Sequence, residues 1–335
     1  MSERTRKTIA LAIGDPNGIG PEIAVKAARR LAEDSSIEIV VVGDEHVVRF
    51  YAQRFASDLP IGIISDAAAN ARALKLLPVD SLPRDAFAPG QGSPASGKAT
   101  VDYVSAGLDL VREGRAAALV ACPHSETAVN AAGIPFSGYP GLVARLMGVA
   151  ESDVFLMLVG GGLRIVHVTL HERLQDALSR ITPDLICKAA EAAADALRSS
   201  GVARPKIGLF GINPHAGEGG LFGDDDARIT MPAAASLRSA GLEVEGPLGA
   251  DLMLGRRDVD AFVAMYHDQG HIPIKLLAGR NSAAMSIGAG LVFASVGHGT
   301  AFDIAGRGVA EPDALLRSIE LVAGASAFKP RVGAA

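Results

Sequence analysis

Short apolar runs recur along this chain of 335 residues, and stretches of helical periodicity separate them. Thr8 to Ile13, Ile37 to Val42, Ala117 to Ala121, Lys206 to Gly211, Asp260 to Tyr266 and Leu291 to Val296 read as buried strands. Glu45 to Phe55, Ala99 to Glu113, Asp224 to Ala240 (interrupted by Pro232) and Pro312 to Ala323 read as helices. Strands covered on both faces are near-continuously apolar, so the pattern predicts an α/β fold with a mostly parallel sheet. One exception stands out. Asp153 to Val159 and Leu163 to Leu170 are joined by Gly160-Gly161-Gly162, which predicts an antiparallel hairpin rather than a phosphate cradle. Thr182-Pro183-Asp184 caps a long Ala-rich helix ending near Ser200. Ser57 to Gly97 breaks into Pro, Ala and Asp and predicts surface loops with short strands.

Several partners are excluded by composition. The net charge of −5 carries no basic run, which argues against nucleic acid or an anionic membrane. Cys122 and Cys187 stand far apart with no CxxC, so neither a disulfide framework nor a cysteine zinc site is expected, and a reducing compartment fits. The apolar run Ile9 to Ile13 is too short for a signal peptide, and no stretch approaches a membrane span. The expectation is a soluble, cytoplasmic protein.

Chemistry concentrates after Asp260 to Tyr266, where His267, Asp268, Gln269, His271 and Lys275 follow in quick succession. Ligands of parallel α/β sheets gather beyond the carboxyl ends of strands. Two more histidines hold equivalent places: His171 after Leu163 to Leu170, and His215 after Lys206 to Gly211. Neutral imidazoles favour zinc or a similar divalent ion, so His171, His215 and His267 form a candidate metal set. His167 competes with them. On a strand, positions four apart are separated by about 13 Å, too far to share an ion bound at about 2 Å, so His167 reads as a satisfied core histidine. Asp251 or Asp268 could serve as ligand, orienter or base, though Asp251 reads equally as the N-cap of a short helix Leu252 to Arg256. Lys275 could stabilise an enolate or move a proton, and reads equally as a solvated helix lysine.

Two motifs carry a resemblance. Gly14-Asp15-Pro16-Asn17-Gly18-Ile19-Gly20-Pro21-Glu22 and His298-Gly299-Thr300-Ala301-Phe302-Asp303-Ile304-Ala305-Gly306-Arg307-Gly308 resemble the opening and the cofactor loop of isopropylmalate and isocitrate dehydrogenases. Asn213 to Gly220, Gly246 to Asp251, Tyr266 to Gly270 and Ala132 to Phe136 resemble the 4-hydroxythreonine-4-phosphate dehydrogenase family more specifically. The resemblance implies a two-domain isocitrate/isopropylmalate dehydrogenase-like fold, with 1–138 plus 299–335 on the cofactor side and 139–298 on the metal and dimer side. It also implies NAD held by Gly14, Asp15, His298, Gly299, Ala301 and Asp303. Its metal ligands correspond to His171, His215 and His267, the last reaching across a homodimer with a shared active site, and its substrate lysine corresponds to Lys275.

Departures from the family pattern bear on the substrate. A substrate-binding His-Thr pair is replaced by Tyr139-Pro140, an asparagine by Ala284, an arginine by Phe293 and a lysine by Glu126. Losing those cations removes bidentate donors that a phosphate ester needs. The runs Ala121 to Thr127, Phe136 to Pro140 and Leu163 to Glu172 resemble the terephthalate cis-dihydrodiol dehydrogenase branch. That branch implies NAD-linked oxidation of a non-aromatic diol dicarboxylate, loss of carbon dioxide and rearomatisation to protocatechuate. Tyr139 and Phe293 would line a ring-sized slot, and Lys275 and Arg280 would meet substrate carboxylates. Other readings are a 4-hydroxythreonine 4-phosphate or phosphothreonate dehydrogenase, a non-redox zinc hydrolase or aldolase, and a binding protein on an enzyme scaffold.

Overall fold

A computed structural model describes residues 6–34, 36–64, 73–136, 138–279, 282–288 and 290–324. The chain divides into two compact units, one of Met1–Leu142 with Phe293–Ala325 and one containing Val143–Val292. The crossings at Leu142/Val143 and Val292/Phe293 stand beside the expected ones at 138/139 and 298/299.

Among the described residues the first unit lays down β1 (Lys7–Ala12), β2 (Ile37–Gly43), β3 (Ile61–Ile63), β4 (Leu74–Pro78) and β5 (Ala118–Ala121). The second contains β6 (Phe155–Gly160), β7 (Leu163–His167), β8 (Lys206–Phe210), β9 (Glu243–Leu248), β10 (Ala261–Ala264) and β11 (Ala283–Gly288), and β12 (Leu291–Ser295) leads back to the first. In the first unit the order is β3-β4-β2-β1-β5-β12, and every pairing is parallel. Its central strands β1, β2 and β5 are buried on both faces, and Ile9, Leu11 and Leu119 are fully enclosed, each contributing about 1.5–3 kcal/mol.

The second unit runs β11-β6-β7-β10-β8-β9. β11 pairs with β6 and β6 with β7 antiparallel, the latter being the expected glycine hairpin, while β7, β10, β8 and β9 are parallel. Gly161 and Gly162 make the turn, both at positive φ. Leu158, Ile165, Phe210, Met253, Phe262 and Ile274 pack as its core. The mostly parallel α/β class is therefore the one the alternation predicts.

Helix ends follow their capping chemistry. The Thr182 hydroxyl accepts from the Leu185 N–H at 3.2 Å and starts Pro183–Ser199 as expected. The helix expected from Ala99 begins earlier, at Pro94, because Ser93 and Ser96 form a reciprocal capping box behind a proline at the first turn. Asp224 to Ala240 is helical as expected, with a π-helical stretch, Asp226–Thr230, running directly into the α-helix Met231–Ser239 that carries Pro232 in its first turn. The strand expected to reach Leu170 ends at His167. Gly249, not a residue two positions on, caps the helix Ala250–Leu254, so Asp251 lies inside its first turn and is not the N-cap.

Candidate active site

In the second unit β7, β10 and β8 are parallel neighbours, so their carboxyl ends open at one edge. Side chains and backbone tie those ends together. The Val168 N–H donates to the Ala264 carbonyl at 2.9 Å, and the Thr169 hydroxyl donates to the Met265 carbonyl at 2.8 Å. The Gln269 amide donates to the Gly211 carbonyl at 2.9 Å and accepts from the Met265 N–H at 2.8 Å. The rings of His171 and His267 consequently stand 5.4 Å apart, beside a cavity of about 310 Å³ that they line with Tyr266 and Asp268.

The run after Tyr266 is a helix, His267–Ala278, so His271 stands one turn from His267 on the same face. Their rings stack at 3.7 Å with 12° between planes. One ligand atom from each of His171, His267 and His271 lies within 4.8 Å of the others. His271 is absent from the sequence-predicted ligand set. The signal that finds it is the four-residue spacing in His267-Asp268-Gln269-Gly270-His271, which places two imidazoles on one helix face once this run is helical rather than a loop.

His167 is 2% exposed on β7, with Nδ1 3.2 Å from the Leu156 carbonyl and Nε2 3.0 Å from His271 Nδ1. Burial pushes its pKa down to about 3, and burial beside His267 pushes that of His271 down to about 4. Both are neutral imidazoles at pH 7. Asp268 is exposed and accepts from His267 Nδ1 at 2.7 Å.

His215 lies beyond β8 and outside the clustered three. It heads a run, His215–Gly219, whose φ values of 53, 54, 84, 42 and 66° are all left-handed. That conformation costs a non-glycine residue roughly 1–2 kcal/mol. His215, Ala216 and Glu218 all adopt it, and strain of this kind collects at functional segments. Buried Asp226 anchors the approach, accepting from the N–H groups of Ile212 at 2.8 Å and Asn213 at 2.9 Å. His215 Nδ1 donates to the Glu218 carboxylate at 2.8 Å. Gly249 lies against both Asp251 and His215: a Cβ there would fall 2.8 Å from Asp251 Oδ1 and 3.5 Å from the His215 Cα. Lys275 is exposed on the helix that carries His267, two turns further on, and donates to the Ser282 hydroxyl at 3.2 Å. Ala284 is half-buried on β11 opposite Leu158. Arg280 lies outside the described residues.

The first unit folds its two distant motifs against one another. The Ile19 N–H donates to the Thr300 carbonyl at 3.0 Å. The fully buried Glu22 carboxylate accepts from Lys26 at 2.8 Å, from the Ala310 N–H at 2.9 Å and from the Gly308 N–H at 3.1 Å. Lys26 in turn donates to the carbonyls of Gly308 at 2.9 Å and Ala310 at 2.7 Å. This clamp leaves His298, Gly299 and Asp303 exposed on the loop it closes, with Ala301 at φ 42°. Gly14 and Asp15 sit differently. A Cβ on Gly14 would lie 2.3 Å from the Pro123 carbonyl. The Asp15 carboxylate, fully enclosed, accepts from the Asn17 N–H at 2.9 Å and the Ser96 hydroxyl at 3.1 Å, and burial raises its pKa to about 6. Asp15 therefore holds the turn together from within.

Tyr139 and Phe293, also in this unit, face one another with ring centroids 4.6 Å apart. They touch directly instead of leaving a ring-wide gap between them. His124 and Phe136 complete the group, with rings 4.5 and 5.6 Å from that of Tyr139. Pro140 beside them is half-buried. The Tyr139 hydroxyl is buried and has no hydrogen-bond partner among the described residues.

Fold and residues together define a two-unit α/β protein with an imidazole cluster at a parallel strand edge and a clamped loop in the other unit. The family model of the pyridoxal phosphate biosynthetic protein PdxA matches residues 35–322, and the chain belongs to that family. It is 48% identical over 318 residues to a 1,2-dihydroxy-3,5-cyclohexadiene-1,4-dicarboxylate dehydrogenase from a Comamonas species, covering 94% of this chain and 97% of that one. To a D-threonate 4-phosphate dehydrogenase from Cupriavidus necator it is 36% identical, covering 93% and 95%. The crystal structure of a terephthalate 1,2-cis-dihydrodiol dehydrogenase from Burkholderia xenovorans superposes with a TM-score of 0.81 at 55% identity, covering 95% of this chain and 98% of that one. A 4-hydroxythreonine-4-phosphate dehydrogenase from Burkholderia phymatum superposes with a TM-score of 0.82 at 35% identity, covering 95% and 98%. Among the described residues no helix is long and apolar enough to cross a membrane.

Proposed function

We propose that this protein oxidises a cis-dihydrodiol of terephthalate (1,2-dihydroxy-3,5-cyclohexadiene-1,4-dicarboxylate) with NAD and releases carbon dioxide, giving protocatechuate. The observation that carries the reading is the apolar contact of Tyr139 and Phe293 at positions where a phosphate ester would need cationic donors. Relatives that share most of the chain at 48% and 55% identity bear the names of dihydrodiol dehydrogenases, which supports it.

In this reading NAD accepts the hydride, and a divalent ion, zinc being the one imidazoles favour, stabilises negative charge that develops on oxygen. The chain's own residues do the rest. His171, His215 and, from a second copy across the homodimer, His267 would hold the ion, the set the resemblance implies. The carboxylates of Asp268 and Glu218 each accept an Nδ1–H, so His267 and His215 offer Nε2 as a lone pair. Asp251 is the candidate base, and Lys275 supplies a positive charge for a substrate carboxylate or the enolate. The loop of His298, Gly299, Ala301 and Asp303, with Gly14 and Asp15 beneath its neighbouring turn, receives the dinucleotide. A homodimer belongs to the reading: Ile272, Leu276 and Leu277 are 60%, 82% and 59% exposed on the helix that carries His267, an apolar face suited to a second copy.

The test is a comparison of substrates. The protein with NAD and Zn²⁺ is offered the terephthalate cis-dihydrodiol, 4-hydroxythreonine 4-phosphate and D-threonate 4-phosphate, and nicotinamide absorbance is followed. Turnover of the diol alone supports the reading. Turnover confined to a phosphate ester overturns it and favours the threonate-type activity of the 36% identical relatives.

A further inference from the structure

His124 is the polar member of an aromatic group whose packing does not require one. Its ring stands edge-on to Tyr139 at 4.5 Å and to Phe136 at 4.8 Å, and Tyr139 faces Phe293. Both flanks are pinned. The Pro123 carbonyl accepts from the Asp15 N–H at 2.9 Å, and the Ser125 hydroxyl accepts from the Ala128 N–H at 3.2 Å. The Asn130 side chain accepts from the Phe136 N–H at 3.2 Å and donates to the Phe136 carbonyl at 2.9 Å, which holds Phe136 against the imidazole. Burial alone pushes the His124 pKa down to about 4, with no hydrogen bond and no neighbouring charge acting on the ring. His124 is therefore a neutral imidazole at pH 7, with one N–H and one lone pair unspent. A phenyl ring would fill the same space without the cost of desolvating those two groups. His124 is half-buried, so part of it stays open to a ligand, whereas Tyr139 beside it is enclosed.

We propose that His124 is a specificity-determining substrate contact, whose neutral imidazole hydrogen-bonds the hydroxyl of the cis-diol that is not oxidised. The inference rests on the proposed function for its substrate and adds a contact outside Tyr139, Pro140, Lys275, Ala284 and Phe293. Placement is the first argument. Tyr139 and Phe293 stand at positions that the resemblance gives to substrate, and Asp15 belongs to the turn that it gives to the dinucleotide. His124 touches the former and is anchored to the latter. Chemistry is the second. A hydroxyl both donates and accepts, so it can use either nitrogen of a neutral imidazole. A carboxylate only accepts, and burying it against uncharged rings leaves its charge uncompensated, as it would that of a phosphate ester. The role of His124 is to orient the diol, and no proton passes through it.

The experiment compares steady-state turnover of the terephthalate cis-dihydrodiol, with NAD and Zn²⁺, by wild type, His124→Phe, His124→Asn and His124→Gln. His124→Phe keeps the ring contacts and removes both polar atoms. Its KM for the diol is expected to rise about 10-fold, the weight of one hydrogen bond to substrate, with a melting temperature at or above that of wild type. His124→Asn and His124→Gln set an amide near Nδ1 and Nε2 respectively, and the one that lowers KM back toward wild type identifies the nitrogen used. Terephthalate, which has the ring and both carboxylates but no hydroxyl, is the second probe: as a competitive inhibitor it should bind wild type and His124→Phe equally. An unchanged KM in His124→Phe overturns the inference. So does an equal weakening of terephthalate, which would assign the ring a carboxylate contact or a packing role. Wild-type protein that does not turn over the diol overturns the proposed function itself, so the two failures are distinguishable.

Discussion

Gly270 lies so close to the ring of His167 that a β-carbon on it would fall 2.3 Å from Nε2. His167 cannot retreat, because β7 and the core enclose it. Gly270→Ala should therefore push His167 off His271, costing about 1–3 kcal/mol as overpacked cores do. A lower melting temperature is the expected result, and a wild-type value would show that the contact relaxes freely.

Glu22 and Lys26 form a clamp rather than a surface ion pair, since the carboxylate is fully enclosed and both partners bond the backbone of Gly308 and Ala310. Lys26→Met leaves that carboxylate buried without its counter-charge, which costs about 3–5 kcal/mol. Denaturant unfolding should show this loss. The KM for NAD should rise about 10-fold with the KM for the diol unchanged, if the loop below Gly308 receives the dinucleotide.

Asp15 gives a pH dependence opposite in sign to that of a paired carboxylate. Burial raises its pKa from 3.8 to about 6. Above pH 6 it is ionised in both folded and unfolded chains, and the folded state bears the desolvation cost. As pH falls from 6 toward 3.8 the folded protein takes up a proton that the unfolded chain does not, and stability rises by on the order of 3 kcal/mol. Asp15→Asn lacks this window, so its unfolding free energy should exceed that of wild type at pH 7, with the gap closing by pH 4. A constant gap across that range would place the raised pKa elsewhere.

The Tyr139 hydroxyl is buried without a partner among the described residues. Tyr139→Phe removes that liability and should raise stability by about 1 kcal/mol. If the hydroxyl bonds the diol substrate, KM for the diol rises in the same variant while its melting temperature climbs. A lower melting temperature with KM unchanged would assign the hydroxyl a purely structural bond.

The sequence makes elements legible where one local signal dominates. Glu45–Phe55 matches its periodicity end for end, and the glycine hairpin and the Thr182 cap form as their residue types require. Legibility fails where tertiary context decides. β11 (Ala-Ala-Met-Ser-Ile-Gly) has little β-branched character and forms because β6 pairs with it. Pro273 and the polar run His267 to His271 disguise a helix. The metal-site reading shows the same limit. The strand whose spacing separates His167 from His171 ends at His167 itself, and it is burial on β7 that sets His167 apart, whereas His267 and His271 share a helix face. The strained left-handed run at His215 has no signature beyond its glycines.

Carbon dioxide is the product that distinguishes the proposed reaction from every simple alcohol oxidation on this scaffold. Terephthalate cis-dihydrodiol labelled with ¹³C at the carboxylate adjoining the diol, incubated with the protein, NAD and Zn²⁺, should release one labelled carbon dioxide for each NADH formed and leave protocatechuate. NADH without labelled carbon dioxide, or no NADH at all from a metal-loaded protein, would contradict the account.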